Sequence, residues 1–442
     1  MEINYLESAK LKMESKDYAG AIEDWTRVIE LDPQNASAWF ERGFAKNEIG
    51  DHVGAIEDFT KYIEFKPDSF YGWYNRGLAK EKLEDYAGAL EDYDRAVDIY
   101  AFDALSRFRK GYVLSMLGQD EEALLDFTAV VILEPDNYDA WFNLGMIYEE
   151  LEKYDEALKK YTKAIELRPQ SIAAWMRRGF IKIKLNDYAG VLQDFTKVVE
   201  LTPGNTLAWY GLGIAKAMLD NPIGAIKDFT KAIENDPNYI PAWFKRGFIK
   251  IKIQDYVGAI KDFTKTVELD PQHAEAWYLR GTAKFRLQDY KGAIRDCTRA
   301  IQINSENPDY WLIRGSAKIS LYDHAGALQD FIKVTELNPQ NANGWYFCGN
   351  AREKLADFEA AIQDYNKAIE IDPFYTTAWI SRAGLKVILQ NYQEGIEDYS
   401  KVIEMKPDYG PAYFFRGLVK NIIKDETAAA DIAKALQLGF QP

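Results

Sequence analysis

AWFKRGFIKIKIQDYVGAIKDFTKTVELDP, Ala242 to Pro271, is the cleanest copy of a stretch that the chain repeats with variations from end to end. Pro33, Pro67, Pro135, Pro169, Pro203, Pro237, Pro271, Pro339, Pro373 and Pro407 share one 34-residue phase, which only Ala101 and Ser305 miss. A phase held that long without insertion marks one supersecondary unit, stacked many times. With proline as position 32 there are twelve full repeats, from 2–35 through 376–409, and a thirteenth, 410–442, one residue short. The expected organisation is a single continuous array over 1–442, with an irregular junction at 99–108 where Ala101 and Arg107 replace proline and tryptophan.

Within the quoted copy, Ala242 to Ile253 carries apolar residues at helical spacing, Gln254–Asp255 interrupts them, and Tyr256 to Leu269 resumes them. That reads as helix, tight turn, helix. Asp255 is placed to cap the second helix through its side-chain oxygen, as are Asp17, Asp51, Asp85, Asp187, Asp289, Asp323, Asp357 and Asp425. Proline then closes the repeat, because it has no N–H and biases the residue before it away from helix. Ten of the eleven tryptophans occupy position 4, Trp243 among them, and position 8 is nearly always glycine, as at Gly247. Position 20 is mostly alanine (Ala259) and position 24 mostly aromatic (Phe263). The expected packing sets the large rings at positions 4 and 24 around the small residues at 8 and 20, a close approach that offsets the cost of about 1 kcal/mol for a mid-helix glycine.

The spacing of Trp243, Gly247, Ala259, Phe263 and Pro271 resembles the tetratricopeptide repeat, and the resemblance runs through the whole chain. It implies an all-α solenoid, a right-handed superhelix of about thirteen helix–turn–helix units, and its RG-x-A-K flavour is similar to long bacterial arrays. Two positions depart from the family pattern. Position 7 is usually arginine (Arg42, Arg246, Arg280) and position 11 usually lysine (Lys46, Lys250, Lys284). Position 23 is aspartate in almost every repeat, and in the fifth repeat both partners change together, to Leu144 and Lys160. An ion pair between positions 7 and 23 is therefore expected, contributing up to about 1 kcal/mol if partly exposed. The seventh repeat, with Leu212 beside Asp228, stands against it.

Composition narrows the function. The net charge of −15 is spread along the chain and disfavours a nucleic-acid partner, which needs Lys and Arg to neutralise phosphates. There is no apolar run near the length of a membrane span. The opening MEINYLESAKLKMESKDY has no stretch long enough for a secretory signal, so the chain reads as cytoplasmic. Cys297 and Cys348 are the only cysteines and occupy regular repeat positions, which suits small packed side chains rather than a metal or disulfide framework. His52 and His324 stand at position 17, where tyrosine is usual, and His273 follows Pro271; none has a recurring partner. No phosphate loop, zinc spacing or nucleophile elbow is present, so an enzyme is not expected and no cofactor or metal is assigned.

Recognition is the better prospect. The resemblance implies that first helices line a concave face, with positions 2, 5, 9 and 12 directed inward. Carried onto this sequence, those positions nominate Phe142, Met146, Met176, Phe180, Ile183, Tyr210, Ile214, Phe244, Phe248, Ile251, Tyr278 and Phe285 as the candidate protein-binding surface. It is richest from Ile172 to His273 and turns polar further on, at Thr282, Ser316, Asn350 and Glu353. The carboxylate-clamp subfamily requires lysine at position 5 and asparagine at position 9. Here position 5 is aromatic or aliphatic from the second repeat to the thirteenth, which argues against that role. The expected function is a non-catalytic scaffold or adaptor that takes a segment of a protein or peptide partner in an apolar groove. The alternative is a holdase that shelters hydrophobic segments of many clients; self-association stays open.

Overall fold

The structure, a computed structural model, describes residues 4–441. Among these residues the chain forms twenty-six α-helices in thirteen consecutive pairs and no strand. They belong to two compact bodies, one ending at Ala215 and one beginning at Lys216, within the helix Thr206–Met218. In the first body the helices from Tyr5–Glu14 to Tyr188–Leu201 pack in sequence, each on the one before. In the second the same holds from Pro222–Asn235 to Ala428–Gln437.

One residue per repeat makes the turn inside each hairpin. Gln254 adopts φ 62°, Tyr322 φ 64° and Gly50 φ 88°, and position 15 is left-handed in all thirteen repeats. The next residue then serves two helices at once. The Asp255 N–H donates to the Lys250 carbonyl at 2.8 Å, ending the first helix, while its Oδ1 accepts from the Gly258 N–H at 2.9 Å, starting the second. Gly258 is required, because a Cβ there would overlap the Asp255 carboxylate. Eight second helices are capped this way, each by Asp or Asn with glycine three residues on. Two of the expected caps differ. Asp357 makes no cap bond because Ala360, not glycine, stands three residues later. The Asp425 carboxylate turns instead to the Thr427 N–H and hydroxyl, and the last helix starts at Ala428.

The packing gives the position-24 ring the place expected of both rings and the position-4 ring a different one. The side chain lying against the position-8 glycine is the position-24 aromatic: a Cβ on Gly247 would stand 3.0 Å from the Phe263 ring. Phe263 and Ala259 are fully buried, as are Phe59, Tyr93, Phe127, Phe195 and Phe331 with their alanine or valine partners. The position-4 indoles are only half-buried and do another job. Each donates its Nε1–H to the position-32 carbonyl of the turn before it, Trp243 to Pro237 at 2.9 Å and Trp277 to Pro271 at 3.1 Å. Trp311 does the same to Ser305, so the carbonyl and not the proline ring is what the indole needs. At the irregular junction Arg107 substitutes for tryptophan, its Nε donating to the Ala101 carbonyl at 2.7 Å.

Over seven of the ten indoles lies the expected arginine. Arg246 sits 4.8 Å from the Trp243 ring and forks onto Asp262, with Nε to Oδ2 at 2.9 Å and Nη2 to Oδ1 at 2.7 Å. Its Nη1 reaches back to the Thr230 hydroxyl of the preceding repeat at 2.8 Å, and Lys250 adds a second cation at 2.8 Å from Asp262. Arg42, Arg76, Arg178, Arg280 and Arg314 repeat the arrangement. Asp262 is 1% exposed, so the pair is buried rather than part of the surface, and the cost of breaking it is larger than the sequence estimate. Where arginine is absent the substitutes are visible. In the fifth repeat Lys160 lies over Trp141 at 5.5 Å, and in the seventh Lys216 alone meets Asp228 at 2.6 Å.

Candidate protein-interaction surface

The residues at positions 5, 9 and 12 share the exposed side of the first helices, held there by the turn and ion-pair geometry just described. All twelve nominated residues are half-buried. Seven lie in the first body, and most lean on the ring beneath them. Phe142 lies 5.6 Å from Tyr161 and is stacked on Tyr138, and Phe180 meets Phe195 edge-on at 5.3 Å. Met146 packs in the Tyr161 cluster, Met176 and Ile183 in the Phe195 cluster, and Tyr210 and Ile214 belong to the next first helix. In the second body Phe244 lies 5.8 Å from Phe263 with Ile251 beside it, Tyr278 is 4.9 Å from Tyr310, and Phe285 meets Tyr290 edge-on. Lys252 stands 5.1 Å over the Phe248 ring. These side chains therefore pack with one flank and show solvent the other.

An apolar hollow in the first body lies nearer the N-terminus, over the second to fourth repeats. It holds about 490 Å³ and is lined by Phe40, Phe44, Tyr62, Phe70, Tyr71, Tyr74, Asn75, Asp103 and Leu105. Tyr71 and Leu105 are more than half exposed at its rim. Phe40 and Tyr74 stand at position 5 and Phe44 at position 9, in repeats that precede the nominated surface. Phe70, Tyr71 and Leu105 are contributed by positions 1 and 2, and the signal was there: Tyr71 and Leu105 stand at position 2, where Ser37, Asp139 and Glu275 are found in other repeats. A smaller cavity of about 210 Å³ shares Leu105 and adds Ala104, Phe108, Arg109, Glu134, Asn137 and Asp139. Three acidic side chains, Asp103, Glu134 and Asp139, thus line the two spaces with a single arginine, which is paired with Glu81 at 3.1 Å.

The histidines and cysteines sit in structural surroundings, although the buried Nδ1 of His324 has no hydrogen-bond partner. His273 caps a helix, its Nδ1 accepting from the Ala276 N–H, and stacks on Phe244 at 4.7 Å. His52 Nδ1 meets Asn47 Oδ1 at 2.8 Å, and His324 lies edge-on to Tyr322. Burial pushes the thiols of Cys297 and Cys348 up to about 12, so neither is a thiolate at neutral pH. Asp364 is the one carboxyl displaced far: burial pushes it up to about 6, because Cys348 occupies the arginine position and only Arg352 faces it, at 2.7 Å. Among the described residues no group of three or more His, Cys, Asp or Glu is placed to hold a metal ion, and no helix is long and apolar enough to cross a membrane.

Family models described as tetratricopeptide repeat match residues 63–104, 138–171, 274–307, 342–375 and 376–409, and one described as TPR repeat matches residues 9–50. No curated protein matches the chain. Among solved structures it is similar to YrrB, described as a TPR protein with an unusual peptide-binding site, at 26% identity over 42% of this chain and 96% of that one, with a TM-score of 0.40. It is similar to MamA from Desulfovibrio magneticus RS-1 at 25% identity over 38% of this chain and 96% of that one, with a TM-score of 0.37. A tetratricopeptide repeat protein from Parabacteroides merdae matches at 19% identity over 57% of this chain and 99% of that one, with a TM-score of 0.40. With its repeated helix pairs and the matching repeat models, the chain belongs to the tetratricopeptide repeat proteins, a family of protein-interaction scaffolds.

Proposed function

We propose that the chain is a non-catalytic scaffold that takes a partner segment on its first-helix faces, anchored by a bulky apolar side chain in the hollow over the second to fourth repeats. The observation that carries this reading is the hollow itself: about 490 Å³ walled by six aromatic rings and open to solvent past Tyr71 and Leu105. A concave apolar space with a few polar groups on its edge is the usual form of a recognition site. The half-buried stripe from Phe142 to Ile214 would extend the contact along the same body, and Phe244 to Phe285 would supply a comparable surface in the other.

Panning a random peptide display library on the full chain tests the reading. Enrichment of peptides that share an aromatic or long aliphatic residue is expected, with binding at least tenfold weaker in Tyr71→Asp and Leu105→Asp. Both residues are exposed, so both variants should keep the fold. Equal binding by the wild type and both variants would place the site elsewhere. Suppression of aggregation of several unrelated proteins, lost in the same variants, would favour the holdase reading instead.

A further inference from the structure

One buried arrangement occurs three times, and the third copy lacks a part. In the third repeat the Tyr93 hydroxyl donates to Glu81 Oε2 at 2.8 Å, and Glu81 Oε1 faces Arg109 of the next repeat at 3.1 Å. In the fifth the Tyr161 hydroxyl donates to Glu149 Oε2 at 2.8 Å, and Glu149 Oε1 faces Arg177 at 3.5 Å. In the eleventh the Tyr365 hydroxyl donates to Glu353 Oε2 at 2.9 Å, but the residue in the arginine register is Ser381. The charged group nearest Glu353 Oε1 is its own chain neighbour Lys354, at 3.6 Å and itself half exposed. Exposure follows the missing part: the glutamate side chain is 9% exposed in the first copy, 15% in the second and 27% in the third.

The surroundings of the third copy suit a planar cation. The Tyr365 hydroxyl touches the carboxylate, and its ring begins a run of three, with Tyr346 5.8 Å from Tyr365 and Tyr375 5.1 Å from Tyr346. One helical turn past Ser381, Gly384 leaves space, a Cβ there meeting nothing nearer than the Tyr399 hydroxyl at 3.9 Å. A guanidinium can fork onto a carboxylate and stack on aromatic faces at the same time, which an ammonium cannot.

We propose that Glu353 is a receptor for an arginine side chain of a bound partner, whose guanidinium takes the place beside Oε1 that Arg109 and Arg177 fill within the chain. The interaction surface is that of the eleventh and twelfth repeats, and the partner segment it fits carries an exposed arginine. The site is separate from the hollow over the second to fourth repeats, so the two readings stand or fall independently.

The test titrates the full chain, with ¹³C-labelled tyrosine rings, against Nα-acetyl-arginine amide and its neutral isostere Nα-acetyl-citrulline amide. A saturable shift of the Tyr365 ring is expected with the arginine compound at a Kd on the order of millimolar, and none with citrulline. Glu353→Gln, which keeps an acceptor for Tyr365, should abolish it. Ser381→Arg should also abolish it and shift the Tyr365 signal toward its liganded position without ligand, a response that simple loss of structure would not give. No saturation well above the millimolar range, an equal response to citrulline, or undiminished binding in either variant would overturn the proposal.

Discussion

Replacing Arg246 by leucine isolates what the buried ion-pair network contributes. The substitution removes both forked bonds to Asp262, the link to Thr230 and the cation above Trp243, leaving Lys250 as the one cation at 2.8 Å from a carboxylate that is 1% exposed. The eleventh repeat supplies a gauge. There cysteine replaces the arginine, and Asp364, still 2.7 Å from Arg352, rises from 3.8 to about 6. That rise corresponds to about 3 kcal/mol for keeping a singly paired carboxylate ionised at this address. Arg246→Leu should therefore lower the opening free energy of the helices Ile240–Lys252 and Tyr256–Leu269 by about 3 kcal/mol, against about 0.2–1 kcal/mol for a solvent-exposed pair. Native-state amide exchange reads this helix by helix, and the loss should stay within the altered repeat and its neighbours. The fifth repeat shows how to repair it: Leu144, Tyr148 and Lys160 replace the usual arginine, lysine and aspartate, and Lys160 covers both Trp141 and Tyr148. Arg246→Leu with Lys250→Tyr and Asp262→Lys reproduces that arrangement, leaves no buried carboxylate at this address, and should recover more than half of the loss. A single-variant loss under about 1 kcal/mol, or a combined variant as unstable as the single one, would refute the reasoning.

Phe263→Ala should cost about 3–5 kcal/mol in local opening free energy because the ring is fully buried, whereas Trp243→Ala should cost about 2 kcal/mol, the indole being half-buried with one hydrogen bond; amide exchange ranks the two, and the reverse order would restore tryptophan to the core. Tyr322→Gly should stabilise its repeat by about 1 kcal/mol, since Tyr322 is 85% exposed and left-handed at φ 64°; exchange in the helices on either side of the turn reads the gain. Asp364 titrates at about 6 in the folded chain against 3.8 unfolded, so the stability it lends is full below 3.8 and lost as pH rises through about 6. Asp364→Asn does not titrate, and its stability relative to wild type should rise by about 1.4 kcal/mol between pH 5 and pH 7.5, measured by urea unfolding at each pH.

Much of the architecture is written in residue types that have one use. Proline, glycine and tryptophan recurring at fixed intervals leave little but a stacked hairpin, and Arg246 with Asp262 could be paired because both vary together in the fifth repeat. The turn residue was hidden for the opposite reason. Position 15 needs a left-handed backbone, yet glycine fills it only at Gly50 and Gly118, while Lys16, Glu84, Gln254 and Tyr322 bear the strain elsewhere. The failure of the Asp357 cap was hidden because the decisive atom is a Cβ three residues away, on Ala360. The edge position of Trp243 was hidden because size alone suggests that the indole joins Phe263 in the core, whereas its N–H finds its partner at the edge, on the Pro237 carbonyl. The hollow was hidden because its walls come from three repeats, and enclosure is a property of their spacing rather than of any one residue.

Each joint between repeats uses a carbonyl at position 32, and seven of them, the one at Trp243 included, also use a hydroxyl at position 25. Excising residues 240–273 would bring Trp277 to the Pro237 carbonyl and Arg280 to the Thr230 hydroxyl, the partners that Trp243 and Arg246 hold now. The splice leaves no mismatched seam. Array length can thus change by whole modules through recombination, with each product foldable from the start, and the reach of the molecule is open to selection separately from the durability of its joints.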